Sequence, residues 1–300
     1  MNVSLRMKAI LVLIGAGFLG GIAPLLMKIG LTEFSSYQIL FIRFGIATIM
    51  IIPLLISQMK MMTWKKLRYI LPSGLLFSGN VFFFVVGVQY TTSIVSQLLY
   101  LLTPVLVSFV GYFAFREKIS LRRIISMIIC FIGSSLLIMR SIQGSDLIHS
   151  IGTFQGNILV LCAVTSWSFY VIYSKKVSKF IEPSLFLVGN FSTALLVSCV
   201  VFFITKTSFI ATLIKFSHSD FSIILSLFAL GSINSVLFFF LYQWGMKHVS
   251  AFAVASTTYL SPLSAALFAI PFFGEQLSST LIISAASIFL GSYLILSEKK

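Results

Sequence analysis

The chain has 300 residues, 58 % of them hydrophobic, and only 28 charged ones: 21 Lys or Arg and 7 Asp or Glu. A soluble chain charges about a quarter of its positions to cover its surface, so this composition excludes a soluble fold and makes lipid the solvent. The net charge of +14 lies in short clusters between apolar runs, which marks membrane topology and speaks against a nucleic-acid partner.

Ten apolar runs follow one another, at residues 9–29, 37–56, 69–88, 94–115, 124–139, 157–173, 184–205, 221–246, 251–273 and 280–296. Each is predicted to be a membrane-spanning helix of about 20 residues. The fold class expected is an all-α polytopic membrane protein. The first run follows Arg6 and Lys8 as a signal peptide would, but its apolar length exceeds a usual signal core. Moreover, its Ile10-Leu11-Val12-Leu13 recurs as Ile158-Leu159-Val160-Leu161. Gly15, Gly17, Gly20 and Gly21 thin one side of this helix, the usual preparation for close helix packing. Lys28, at its far end, is expected to snorkel to the headgroups.

The second run holds Arg43, about 10 Å deep at 1.5 Å per residue. A guanidinium there costs about 2.5–3.5 kcal/mol on insertion scales, so it either snorkels, makes an interhelix bond, or holds a substrate carboxylate. Asn80, Asn190 and Asn234 are mid-span amides in the third, seventh and eighth runs, able to bond a ligand or a neighbouring helix. In the fourth run Ser93, Gln97, Tyr100 and Pro104 are spaced four, three and four, hence on one face. Pro104 removes a backbone bond and frees the carbonyl of Tyr100; Pro262 does the same for Thr258, which precedes Tyr259 in the ninth run. These two tracts are candidate cavity walls, with interhelix packing as the other reading. Trp167 and Tyr170 share a face of the sixth run and could stack on a substrate or pack in the core. The candidate pathway is therefore Arg43, Asn80, Gln97, Tyr100, Trp167, Tyr170, Asn190, Asn234, Thr258 and Tyr259.

All seven acids fall in loops, tails or span ends. A cation carrier, or one driven by a buried carboxylate, would normally show an intramembrane acid. The pattern favours a neutral, zwitterionic or anionic substrate. Glu117 and Glu275, just beyond the fourth and ninth runs, are expected to pair with basic loop residues or cap a helix end. Cys130, Cys162 and Cys199 lie apart inside apolar runs, so neither a disulfide nor a metal site is expected. With the amino terminus inside, cytoplasmic segments carry sixteen Lys or Arg and outer loops only Arg140, Lys206 and Lys215. That positive-inside bias puts both termini in the cytoplasm.

An internal repeat runs through the pattern. Gly87, Leu102, Pro104, Phe115, Glu117 and Ser120 recur 158 residues later as Gly245, Leu260, Pro262, Phe273, Glu275 and Ser278. The same offset carries Ile124-Ile125-Ser126 onto Ile282-Ile283-Ser284, and Phe131, Gly133, Ser134 and Leu136 onto Phe289, Gly291, Ser292 and Leu294. Matched Pro, Gly and Glu in register are more than apolar composition produces. Residues 1–140 form a first five-helix repeat, 141–156 an outer connecting loop, and 157–300 a second repeat. Five spans is an odd number, so the second copy must be inverted, as in carriers that expose a midplane site alternately to either face.

The segment from Phe84 to Ser93, then Leu102-Thr103-Pro104, Phe115-Arg116-Glu117-Lys118-Ile119-Ser120 and Phe131-Ile132-Gly133-Ser134, resembles the drug/metabolite transporter superfamily, specifically its EamA-like branch. Phe41-Ile42-Arg43-Phe44 and Trp167 with Lys175-Lys176 match as well. Phe18-Leu19-Gly20 stands where the family usually has Trp-Gly. The resemblance implies ten helices, cytoplasmic termini, a cavity between the halves, and export of amino acids or other small metabolites, with uptake and multidrug export known in the same fold. A multi-pass protein of the plasma (inner) membrane, monomer or homodimer, without cofactor, is expected, its partners a small-molecule substrate and the lipid bilayer. No Gly-rich nucleotide loop and no catalytic motif stands in the sequence, so neither direct ATP use nor an enzyme is expected. A non-transporting scaffold or sensor is the alternative from another class.

Overall fold

In the computed structural model of the protein, residues 3–59, 63–115, 120–140, 148–177, 180–248 and 260–296 are described. Every regular element among them is helical: α1 (Val3–Leu31), α2 (Ser36–Met50), α3 (Ile52–Met59), α4 (Trp64–Val88), α5 (Ser93–Tyr100), α6 (Thr103–Phe115), α7 (Leu121–Arg140), α8 (Ile148–Ile151), α9 (Phe154–Val177), α10 (Pro183–Ile204), α11 (Phe209–His218), α12 (Phe221–Gly231), a π-helical segment (Ser232–Leu237), α13 (Phe238–His248), α14 (Leu260–Phe273) and α15 (Ser279–Leu296). Each of the ten predicted runs meets helix. By length and apolar character, six stretches of the described residues can cross a membrane; α2 with α3 makes a seventh, and α7, α14 and α15 contain shorter apolar helices.

Among the described residues, three runs are broken rather than continuous, each for a local reason. α2 begins in a capping box between Ser35 and Gln38 and meets α3 at a bend of 62°. Pro53, in the first turn of α3, has no N–H to continue the ladder. The fourth run breaks between Tyr100 and Thr103, where Leu101 and Leu102 bond back only three residues, to Leu98 and Leu99. Pro104 stands in the first turn of α6 and lacks the N–H that Tyr100 would have received. The eighth run passes through the π-helical segment, where the Ser235 hydroxyl donates to the Leu230 carbonyl at 2.9 Å. Such insertions recur at functional sites.

The stretch after the seventh run, expected as an outer loop holding Lys206 and Lys215, contains α11. Ser208 caps it, its hydroxyl accepting from the Ala211 N–H. Ile210, Leu213 and Ile214 form one exposed apolar face, and Lys215 in its last turn donates to the Glu33 carbonyl. The sequence reading missed this helix because its 10 residues are too few to stand out as a membrane-spanning run.

α7 and α15 are equivalents in the internal repeat, and they pack on each other. A Cβ on Gly133 would stand 3.0 Å from the Ser284 carbonyl oxygen; one on Gly291 would stand 2.7 Å from that of Ser126. Ser126 and Ser284 are themselves repeat equivalents, so the contact is reciprocal. Cys130 Sγ lies 3.6 Å from the carbonyl of Ile288, its own equivalent. Positions on one side of Cys130 meet positions on the opposite side of Ile288. That is the register of antiparallel helices about a two-fold axis, as an inverted repeat requires. Deeper in, Phe44 and Phe77 of the first repeat pack edge-on or tilted against Phe191 and Phe239 of the second, with centroids 4.7–6.3 Å apart.

At the end of the bundle where α1 finishes, polar side chains tie the connections together. Ser36 donates to Gln89 at 2.8 Å, Gln38 to Thr212 at 3.0 Å, and Ser219 to Glu33 at 2.8 Å. Lys28, expected to snorkel, instead pairs with Glu275 at 2.9 Å. The carboxylate is 4 % exposed and also accepts from the N–H groups of Ser93 (2.6 Å) and Ile94 (3.0 Å), the first turn of α5. Glu275 thus joins α1, the α14–α15 connection and α5. A buried acid gains more from a counter-ion and two oriented N–H groups than Lys28 would gain from the headgroups. Its repeat equivalent, Glu117, lies outside the described residues.

Candidate functional site

Between the two repeats lies an open cavity of about 770 Å³, its mouth included. Its position follows from the thin side of α1. Gly17 and Gly20 line it, and a Cβ on neighbouring Gly21 would collide with Ser261 and Ser264 of α14. The Ser261 hydroxyl donates to the Gly17 carbonyl at 2.9 Å and Ser264 to that of Phe18 at 3.0 Å, so α14 is held at backbone distance. This is how small residues bring membrane helices together.

Opposite α1, Arg43 enters from α2. Its Nε donates to Ser235 Oγ at 2.8 Å and one terminal nitrogen to the Asn234 carbonyl at 3.5 Å; the guanidinium lies 5.7 Å from the Phe44 ring centroid. The π-helical segment supplies both acceptors. It comes this close because a Cβ on Gly231 would stand 2.9 Å from the Arg43 carbonyl oxygen; only glycine leaves the space. Of five guanidinium N–H donors, two are given to α12's extension, and no carboxylate pairs with Arg43 among the described residues. Arg43 is the only charged residue among the described residues that line the cavity.

Next to it, Asn80 of α4 donates to the Tyr100 hydroxyl at 2.5 Å and to the Ala163 carbonyl at 2.9 Å. Gln97 of α5 reaches the Gly20 carbonyl at 3.4 Å. The remaining wall is aromatic. Trp167 lies 5.5 Å from Tyr242 and 6.0 Å from Phe239, Phe238 stacks on Tyr242 at 5.8 Å, and Phe84 meets Tyr100 edge-on at 5.3 Å.

Of the ten candidate pathway residues, Arg43, Asn80, Gln97, Tyr100, Trp167 and Asn234 are brought to this one cavity. Tyr170 and Asn190 are placed behind it. The Tyr170 hydroxyl accepts from Asn190 at 2.9 Å and from Gln243 at 2.8 Å, Ser73 donates to Asn190 at 3.1 Å, and the Tyr170 ring stacks on Trp167 at 5.0 Å. Their amide and phenol groups are satisfied inside the protein, which is why they do not face the opening. Thr258 and Tyr259 lie outside the described residues. Pro104 and Pro262 occupy the first turns of α6 and α14 and do not line the cavity.

Sequence reasoning missed Phe84, Phe238, Phe239, Tyr242 and Ser261. Asn234, Phe238 and Tyr242 are spaced by fours and share the face that mattered, but among 31 Phe that spacing does not stand out. A second space of about 650 Å³, open to the outside, surrounds the Lys28–Glu275 pair. One prediction arises from the placement. With the native cysteines replaced by Ala, Gln97→Cys and Asn234→Cys react with a small water-soluble thiol reagent, while Tyr170→Cys and Asn190→Cys stay largely unlabelled. Equal labelling of the latter pair would show that the cavity wall is drawn in the wrong place.

Compared with known proteins, the family model described as the EamA-like transporter family matches twice, over residues 7–139 and 154–297. An uncharacterized transporter of Clostridium kluyveri is 25 % identical over 280 residues, covering 88 % of this chain and 84 % of the relative. An uncharacterized transporter of Bacillus subtilis is 26 % identical over 222 residues, covering 71 % and 63 %. A solved crystal structure at 18 % identity overlays with a TM-score of 0.64, covering 96 % of this chain and 97 % of that one, a likeness of fold.

Proposed function

The chain belongs to the EamA-like transporter family and is a multi-pass membrane transporter; from that premise we propose that it is a secondary carrier of small organic metabolites. Its substrates are amino acids or related zwitterionic or anionic compounds, its direction is export, and its mechanism is alternating access. The proposal includes ten crossings, cytoplasmic termini in the plasma (inner) membrane, and two repeats at 1–140 and 157–300 joined by 141–156. Arg43, Asn80, Gln97, Tyr100, Trp167 and Asn234 contact the substrate directly; Tyr170 and Asn190 position Trp167 from behind; Thr258 and Tyr259 are proposed as further substrate contacts from the sequence pattern alone.

One observation carries the reading: a cavity between the repeats holds a guanidinium that no carboxylate among the described residues neutralises. A buried, unpaired charge is costly. A substrate carboxylate offers it the bidentate partner it lacks, in a site whose wall is largely apolar and aromatic, as small-ligand sites are. Alternating access follows from two equivalent halves meeting across an axis, since rocking one half on the other exposes the same site to either face.

The test is a thermal-shift screen of the purified protein against amino acids, nucleosides, organic acids and cationic drugs, followed by counterflow of each hit in proteoliposomes. A zwitterionic or anionic hit that exchanges is the expected result. Exchange confined to cationic drugs would overturn the charge reasoning. Absence of both binding and exchange would favour a scaffold or sensor.

A further inference from the structure

We infer that the ligand of this cavity is a monoanionic carboxylate with a planar apolar body and no ammonium group. The inference rests on the carrier reading and narrows it to one chemical class.

The anion end is built. Arg43 keeps the N–H donors not given to Ser235 and Asn234. Tyr100 lines the same cavity. Because the Tyr100 oxygen accepts from Asn80, its own proton is left to donate. A guanidinium fork and a phenol proton on one side of a cavity fit two carboxylate oxygens.

No charged counterpart for a cation stands among the described residues. Those that line the cavity include no Asp or Glu. Four backbone carbonyls here already receive side-chain donors, Gly17 from Ser261, Gly20 from Gln97, Ala163 from Asn80 and Asn234 from Arg43, and the Tyr100 carbonyl that Pro104 frees offers a dipole but no charge. The amide oxygens of Asn80, Gln97 and Asn234 offer dipoles but no charge, so charge balance decides. One carboxylate cancels Arg43 and leaves the occupied cavity neutral. A zwitterion leaves it at +1, with an ammonium about 6 Å from the guanidinium. At an effective dielectric of about 20, that repulsion is worth roughly a hundredfold in affinity. A second carboxylate on the ligand would leave the cavity at −1 with nothing to meet it.

The body of the ligand is set by the other wall. Trp167, Phe239 and Tyr242 surround it with ring faces and edges, and flat rings take offset-stacked or edge-on partners. The 5.0 Å stack of Tyr170 behind Trp167, with the Tyr170 hydroxyl held by Asn190 and Gln243, fixes the indole plane before any ligand arrives.

Three compounds of one skeleton test this: 3-phenylpropanoate, phenylalanine and phenethylamine, titrated into the purified protein and then used in counterflow. The expected order is 3-phenylpropanoate tighter than phenylalanine by about 30- to 100-fold, and no binding of phenethylamine. In Arg43→Gln the difference between the first two shrinks to a few-fold, because the repulsion has gone with the guanidinium. Phenylalanine binding as tightly as 3-phenylpropanoate, or phenethylamine binding at all, overturns the inference; so does silence of all three. Failures of the two readings separate cleanly. Phenylalanine that binds best and exchanges sinks the anion class and keeps the carrier, whereas the expected order of binding without exchange keeps the class and sinks the carrier.

Discussion

Arg43→Ala is expected to abolish ligand-dependent stabilisation and exchange while leaving the protein folded. Truncating one partner of a buried, hydrogen-bonded charge pair costs about 2–5 kcal/mol, here roughly a 30- to 5000-fold weaker apparent Kd for a carboxylate ligand. The effect on the empty protein has the opposite sign from a usual core deletion. Without ligand the guanidinium is an uncompensated charge bonded to one hydroxyl and, at 3.5 Å, one carbonyl. Ser235 retains its bond to Leu230 when Arg43 is removed, so the empty variant melts no earlier than the parent. Arg43→Lys restores the charge but not the planar fork, and should recover only part of the binding. Thermal shifts with and without ligand, on all three proteins, separate these expectations. A variant that melts early and still binds would make Arg43 a structural residue.

Glu275→Ala is the second large effect, and it acts on stability. The carboxylate accepts from Lys28, Ser93 and Ile94, so its loss strands a half-buried ammonium and two helix-end N–H groups at once. Breaking a buried pair from one side costs about 3–5 kcal/mol. α5 carries Gln97 and Tyr100, and weaker ligand binding should accompany the lower Tm. Lys28→Met is milder, because Glu275 then keeps both backbone donors and the positive end of α5. Glu275→Gln falls between, an amide oxygen accepting without the charge. Melting curves of the three variants give the order; a Lys28→Met variant less stable than Glu275→Ala would mean that the ion pair, not the helix cap, holds this end together.

Much of this was legible in the chain itself. The scarcity of charge named the solvent, and the 158-residue echo of Gly, Pro and Glu announced two equivalent halves before Gly133 and Gly291 were seen meeting across an axis. Pro104 marked where the fourth run breaks, and Glu275 was placed at a helix end because an acid there needs donors. Arg43 stood out because an ionised group inside a span demands a reason.

Other features had no local signal. The partner of Lys28 is 247 residues away in sequence, so position along its own helix suggested only snorkelling. Tyr170 and Asn190 look like pathway residues by type, yet they find each other and Gln243 behind Trp167. The π-helical segment that turns Ser235 and the Asn234 carbonyl toward Arg43 depends on how closely Gly231 approaches α2.

Composition and repeat therefore determined the helical membrane class and the two-fold plan, because they follow from the solvent and from matched residues along one chain. Which face of each helix turns inward was decided only by tertiary packing. Phe131 and Phe203 are 71 % and 85 % exposed, while Phe77 and Phe191 are fully buried. In water such a difference would be written as polar against apolar. In lipid both faces of a helix are apolar, hydrophobic periodicity loses its meaning, and only close packing of small residues and satisfied polar groups distinguishes the inside.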